Sequence, residues 1–495
     1  MKRLVAIAFI LIHYLLPGQD ISLIGKQINI TNYLSLKEKG AEVFKAIKEL
    51  EIYEINGLDI YYDLNKNIKT DKVNFQLKLG DKHDWQLELK EHNLFSENFR
   101  SVKQTSHGKE ISYTPPKLKI YRSYNQGKAQ KGTFSLGSNW IYGSIWVEKD
   151  NKYFIEPLQI YDLNAESNLF IVYKADKSDS DDYVCRQNGT FSSSDIENST
   201  NKQLLAVSCM EIAIAYDQSA MIEFGGTRNT ENILTSRFNV VSAFFLNNFE
   251  IDKKIIEFYQ AGNNEITLDT NMVPCNEVFP NCSDNSILDD FREWGEKEND
   301  PNSGFLSSPD AATFFTGRGV TEFYGYSHFG GICNERGYNW VEEDIPYLEY
   351  RKANLWIHEY GHTWNASHVD DASNMMYSSI SSLDNMQVHA WTYNSIIGHK
   401  NSRGCLSDGA CSTLSTNNIA ANLRGAKVFP NPTNGLLHIS TKAQLKKIEI
   451  YNSFGKKILE TNQIQINIHD FSNGIYFLKI YGLKGEIALK KIIKV

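Results

Sequence analysis

Apolar and polar residues alternate at Val73, Phe75, Leu77 and Leu79, and again at Trp85, Leu87 and Leu89, with Gly80-Asp81-Lys82-His83 between the two runs. A side-chain period of two is that of a half-buried strand, and a short Gly-containing break between two such runs predicts a hairpin. Ile141-Tyr142-Gly143-Ser144-Ile145 and Tyr153-Phe154-Ile155-Glu156-Pro157-Leu158 continue in the same manner, so residues 20–200 read as a β-rich region. Further on the period changes. Ala353, Trp356, Ile357, Tyr360 and Trp364 follow the spacing of one helix face, which predicts a buried amphipathic helix.

After the polar stretch Ser412-Thr413-Leu414-Ser415-Thr416-Asn417-Asn418, read as a linker over 412–425, short apolar runs return. Val428-Phe429, Ile448-Glu449-Ile450-Tyr451, Gly474-Ile475-Tyr476-Phe477-Leu478 and Lys490-Lys491-Ile492-Ile493 are parted by Gly and Asn turns and predict a small β-sandwich over 426–495. The start of the chain has another character. Met1-Lys2-Arg3, an apolar run from Leu4 to Leu16 and Pro17-Gly18-Gln19 make a secretory signal peptide over 1–19, cleaved near Gln19 and too short to span a bilayer stably. No later run of 18 or more apolar residues follows, so no transmembrane segment is expected in the mature chain.

Composition adds domain count and exclusions. At 495 residues, 41% of them hydrophobic, the chain can bury several cores, and three domains are expected after the signal. A net charge of −8 with scattered Lys and Arg offers no footprint for nucleic acid or acidic lipid.

The chemistry is concentrated in His358-Glu359-Tyr360-Gly361-His362-Thr363-Trp364-Asn365-Ala366-Ser367-His368. His358 and His362, four apart on the predicted helix, can present ring nitrogens to one metal ion from adjacent turns. Glu359 lies one step round, placed to take a proton from water as a general base. His368 is too far along a continuing helix to join the pair, so the helix must stop between them. Asn365 suits the reversal, because asparagine tolerates a left-handed backbone best after glycine. Three neutral imidazoles leave a fourth tetrahedral position of Zn²⁺ open, as a catalytic site requires. The plain alternative is a core helix that carries histidines by accident. With 12 His in the chain, this spacing arises by chance with a probability on the order of 10⁻³ or less, which decides for one catalytic zinc. No residue pattern indicates calcium.

The segment resembles the metzincin signature HExxHxxGxxH, with Asn365 where the family usually has glycine. Met376, in Asn374-Met375-Met376-Tyr377, is similar to the methionine turn that lies beneath the metal in that clan, with Met375 as the alternative. Glu211-Ile212-Ala213-Ile214-Ala215, Leu288-Asp289-Asp290-Phe291-Arg292-Glu293-Trp294, Asp310-Ala311-Ala312 with Thr316-Gly317-Arg318, and Gly330-Gly331-Ile332-Cys333 resemble the reprolysin-like (adamalysin) branch in order and spacing over about 205–402. The resemblance implies an α/β catalytic domain over 201–411, with a twisted sheet above the zinc helix and a propeptide over 20–200; it also implies a sheet edge for extended substrate within Val320–Phe329, whose aromatics read equally well as an ordinary buried strand and are given no site role. Residues 426–495 resemble the C-terminal sorting domain of type IX secretion in Bacteroidetes. That likeness implies passage through the type IX machinery to the medium or the outer cell surface.

Seven cysteines stand at 185, 209, 275, 282, 333, 405 and 411, an odd number in an exported chain. Cys185, between the β-rich region and the first catalytic strand, is the candidate for a thiolate that blocks the open zinc position until the propeptide is cut. Its neighbours match neither the matrixin nor the adamalysin latency motif. The other six allow 15 pairings. Cys275 with Cys282 and Cys405 with Cys411 are close enough in sequence to bridge, which would leave Cys209 with Cys333.

The sequence thus predicts a secreted zinc metalloendopeptidase that acts on proteins or peptides and is made as a zymogen. Two readings compete. A non-enzymatic surface adhesin has no need for a base such as Glu359, and an exopeptidase needs an acidic cluster for the substrate's free amine, which the sequence does not display.

Overall fold

The computed structural model describes residues 19–29, 50–56, 72–124, 130–148, 151–174, 190–191, 207–262, 284–296, 304–317, 324–333, 336–345, 348–378, 387–408, 411, 427–440, 445–452, 456–482 and 487–495. Residues 1–18 of the signal segment, Cys185, Cys275, Cys282 and the linker 412–425 lie outside them. The chain divides into two compact units, 1–412 and 413–495.

The hairpin expected from the period-two pattern forms. Strands Lys72–Leu79 and His83–His92 pair antiparallel, with Val73, Phe75, Leu77 and Leu79 buried and Gly80 in the left-handed region at φ 55°. Seven further strands join them in a closed barrel. The ring runs 19–28, 50–55, 169–174, 151–157, 140–148, 131–137, 119–123, 83–92 and 72–79, and the parallel pairing of 19–25 with 73–79 shuts it. Closure leaves no free edge, and Phe75, Leu77, Leu87, Phe134, Ile145 and Phe170 are among the side chains that fill the interior.

A second sheet lies mainly in the region expected to be the catalytic domain. Its order is Gly325–Ser327, Tyr338–Glu342, Ala311–Thr316, Ser208–Tyr216, Ile251–Gln260, Phe95–Thr105 and Gly108–Ser112. The expected first strand, 211–215, lies inside the fully parallel centre of this sheet. The Gly325–Ser327 edge, Gly108–Ser112 on the far side and the short strand Ser407–Asp408 beside 208–209 run antiparallel to their neighbours. Helices Thr227–Phe249 and Glu349–Thr363 cover one face, and Asp284–Glu296, the helix expected at 288–294, covers the other.

The hairpin 95–112 comes from the region expected to be a separate propeptide, yet it lies parallel to Ile251–Gln260 within this sheet. The barrel is tied on elsewhere too. Trp140 Nε1 donates to Ser236 Oγ at 3.1 Å, and Arg122 Nε to Asn239 Oδ1 at 2.8 Å. Buried Glu156 accepts hydrogen bonds from Tyr161 and from Tyr173 (2.5 Å), and the Tyr161 hydroxyl accepts from the Glu349 N–H, at the start of the active-site helix, at 3.1 Å.

Burial, then the charge on Glu349, pushes the Glu156 carboxyl up to about 8, against the hydrogen bonds of the two tyrosines. The folded protein therefore keeps a proton that the unfolded chain, titrating near 4.5, releases. The stability from that proton is full below the unfolded value and is lost as pH rises through about 8. Glu156→Gln, neutral at every pH, should flatten the fall of melting temperature between roughly pH 5 and 8. Parallel melting scans of both proteins check this; identical slopes would refute it.

The C-terminal unit contains a three-stranded sheet (Lys427–Phe429, Leu436–Ser440, Gln465–Asn467) and a four-stranded one (Leu445–Asn452, Lys457–Thr461, Gly474–Gly482, Ile487–Lys494). One apolar cluster, including Leu437, Ile439, Ile448, Ile450, Leu478 and Ile480, is shared by the two.

Among the described residues, Cys209 bonds to Cys411 and Cys333 to Cys405, with Cα separations of 4.9 and 5.8 Å. This corrects the expected Cys405–Cys411 and Cys209–Cys333 pairings. Residues 407–408 form a strand antiparallel to 208–209, which brings this part of the chain alongside Cys209.

Candidate metal centre and active site

Helix Glu349–Thr363 ends where the histidine spacing demands. Asn365 adopts φ 73°, the Ala366 N–H donates to Gly361 O at 2.9 Å and the Asn365 N–H to His362 O at 2.8 Å, closing the turn as a Schellman motif. The chain then enters the short strand His368–Val369, which brings the third imidazole back to the first two. Ligand atoms of His358, His362 and His368 all lie within 4.8 Å of one another, and the three rings are buried.

Their tautomers are legible. His358 Nδ1 lies 2.8 Å from Met375 O, and His362 Nδ1 lies 2.8 Å from Ala366 O. A ring nitrogen at that distance from a carbonyl carries hydrogen, which leaves Nε2 as the lone-pair side. The Nε2 of His358 lies 3.1 Å from that of His362 and 3.3 Å from that of His368. Lone pairs converging so closely repel unless a cation sits among them. With Zn–N bonds of about 2.0–2.1 Å, tetrahedral donors stand about 3.3 Å apart, so the triad fits zinc. Burial, then neighbouring histidine charge, lowers His358 to about 3 and His362 well below its ordinary value, so the rings are neutral as ligands must be.

Met376 lies under the helix. A Cβ on Gly361 would collide with its sulfur, so the glycine between the two histidines is what lets the turn approach. The turn is held by Asn374, whose Oδ1 accepts from the Met376 N–H at 2.8 Å, and by the Val369 N–H on Met376 O at 3.0 Å. Met375 contributes the carbonyl that orients His358, so both methionines weighed from sequence belong to the turn.

Glu359 is buried, and its Oε2 lies 2.6 Å from Ser327 Oγ on the edge strand Gly325–Ser327. That contact was not foreseen. The small residues at 325 and 327, two apart within a segment read as sheet edge, were the available signal. The frame behind the helix was missed as well. Buried Arg237 binds Glu343 and, at 2.8 Å, Glu349, while Lys352 reaches Glu343 at 3.2 Å. An arginine amid Ile233, Leu234, Phe238 and Val240 was its signal in the sequence. Cys185 lies outside the described residues. Five positions further on, Thr190–Phe191 runs parallel to His368–Val369.

A buried histidine triad on a helix, turn and strand below a mostly parallel sheet defines a metallopeptidase. Residues 208–413 match the Metallo-peptidase family M12, and residues 427–495 match the Secretion system C-terminal sorting domain. The chain therefore carries a reprolysin-like peptidase domain and a sorting domain that marks it for export, to the cell surface or beyond. Among solved structures it is similar to metalloproteinase-II from Bacteroides fragilis, at 12% identity and TM-score 0.38, over 68% of this chain and 94% of that one. It is also similar to archaemetzincin from Methanopyrus kandleri, at 15% identity and TM-score 0.27, over 39% of this chain and 96% of that one. No curated protein matches by sequence. Among the described residues, no helix is long and apolar enough to cross a membrane.

Proposed function

We propose that this protein is a metzincin endopeptidase, made as a zymogen and exported by type IX secretion with its C-terminal sandwich as the address. His358, His362 and His368 hold one zinc ion, Glu359 is the general base and Met376 supports the site. The observation that carries the reading is the convergence of three Nε2 atoms, with the buried carboxylate of Glu359 next in sequence to the first of them. Bound zinc supplies Lewis acidity, activating water and polarising the scissile carbonyl. Glu359 takes the water's proton and passes it to the departing amine, so no covalent intermediate forms with the chain. An extended peptide adds to the sheet edge at Gly325–Ser327, where backbone hydrogen bonds align it across the triad.

Latency fits the same frame. The support for it is the pairing of Thr190 with His368: Cys185 is five residues earlier, and a chain of that length, about 17 Å when extended, has the reach for its thiolate to occupy the open position.

One experiment covers both parts. Full-length precursor, its processed form and Cys185→Ala precursor are incubated with a denatured protein, with and without a chelator. Internal cuts by the processed form, lost on zinc removal and restored by zinc, are expected, together with premature cutting by Cys185→Ala. Cuts confined to chain ends would contradict the endopeptidase reading, chelator-insensitive cleavage the metal, and a silent Cys185→Ala precursor the switch.

A further inference from the structure

The edge strand does more to Glu359 than border it. Gly325 and Ser327 are two apart, so their side-chain directions lie on one face of the strand. That face meets the carboxylate at both oxygens. Ser327 Oγ lies 2.6 Å from Oε2, and a Cβ built on Gly325 would stand 2.8 Å from Oε1 and 2.9 Å from Cγ. Ser327 is buried, and its hydroxyl also lies 2.8 Å from the Glu359 backbone carbonyl. A serine hydroxyl has one hydrogen and can accept another. In this position it can donate to the ionised carboxylate, or turn to the carbonyl and accept from the carboxyl once that holds a proton.

We infer that Ser327 is a positioning residue for Glu359, gripping its carboxylate from the sheet edge while Gly325 leaves the space in which that grip closes. The inference rests on the reading of Glu359 as general base. A glutamate side chain that loses such an anchor regains rotamer freedom, and a base displaced by about 1 Å loses much of its effect. The same strand is the one proposed to pair with substrate, so a bound peptide that orders the edge also orders the base. No contact of Ser327 with the substrate's reacting atoms is required.

The test uses the exported chain after activation. With a fluorogenic peptide, Ser327→Ala should lower kcat roughly 10- to 50-fold with KM within about twofold and bound zinc unchanged. Ser327→Thr, which keeps the hydroxyl, should restore most of the loss, and Gly325→Ala, which crowds the other oxygen, should lower kcat in the same manner. In the Glu359→Ala background, Ser327→Ala should add nothing further. An unchanged kcat, a loss carried by KM or zinc content, or an undiminished loss without Glu359 would overturn the proposal. A second readout needs no activity. In the metal-free protein, Ser327→Ala should lower the melting temperature less when Glu359 is already alanine. If the wild type cleaves nothing, the base reading fails by itself, and this melting cycle decides the contact. Equal shifts in the two backgrounds would refute it.

Discussion

Replacing Glu359 with alanine should lower the rate of peptide cleavage by roughly 10²- to 10⁴-fold while leaving the bound zinc in place. The residue sits directly after the first histidine and its side chain is buried, but the converging donors are the three ring nitrogens. Removing the carboxylate therefore takes away the proton acceptor and spares the ligands. Metal content by mass spectrometry and turnover on the same samples would separate the two roles. Activity within tenfold of wild type would remove Glu359 from the mechanism. Zinc without cleavage in both proteins would favour an adhesin built on a peptidase scaffold.

The second large effect concerns stability. Arg237 is buried on helix Thr227–Phe249, stacked near Phe224 and Phe315, with Glu343 and Glu349 as partners and Lys352 alongside. Burial disfavours its charge, but the two glutamates override this and hold the guanidinium firmly protonated, while Glu343, despite its own burial, is kept low by Arg237 and Lys352. Arg237→Met leaves two buried carboxylates with one lysine between them. The expected cost is about 3–5 kcal/mol, seen as a melting temperature lower by roughly 10 °C. Adding Glu343→Gln, Glu349→Gln and Lys352→Met should recover a good part of the loss, because that quadruple variant removes the carboxylates together with the buried lysine that pairs with them. A single variant that melts with wild type would show that the cluster frames nothing. Glu349 begins the active-site helix and Glu343 follows the strand beside the edge strand, so the cluster sets how that helix meets the sheet.

Local patterns were readable in the sequence. The hairpin at 73–89 and the buried face of the active-site helix come from side-chain period, and the reversal at Asn365 from the distance between His362 and His368. Features that join distant segments were not. A strand such as Phe95–Thr105 carries no record of its partner, so its parallel pairing with Ile251–Gln260 could not be read from either segment. The disulfides show the same limit, since Cys405 and Cys411, close in sequence, each bond to a partner far along the chain. Ser327 lies in a three-residue strand, too short for a periodic signal. Its importance appears only when helix and edge face each other.

The Cys209–Cys411 bond also has a mechanical meaning. Cys411 is the last described residue before the stretch leading to the sorting unit, and its N–H is held by Asp252 at 2.8 Å. A pull arriving from that unit, during extrusion or on an anchored cell surface, enters the peptidase at this covalent knot. It passes into Ser208–Tyr216, a strand flanked on both sides by others in the middle of the sheet. A load along the axis of that strand would be shared by the rows of backbone hydrogen bonds on both of its sides. The helix Ala390–Asn401 and the methionine turn lie upstream of the knot, so the metal centre is shielded from the tether.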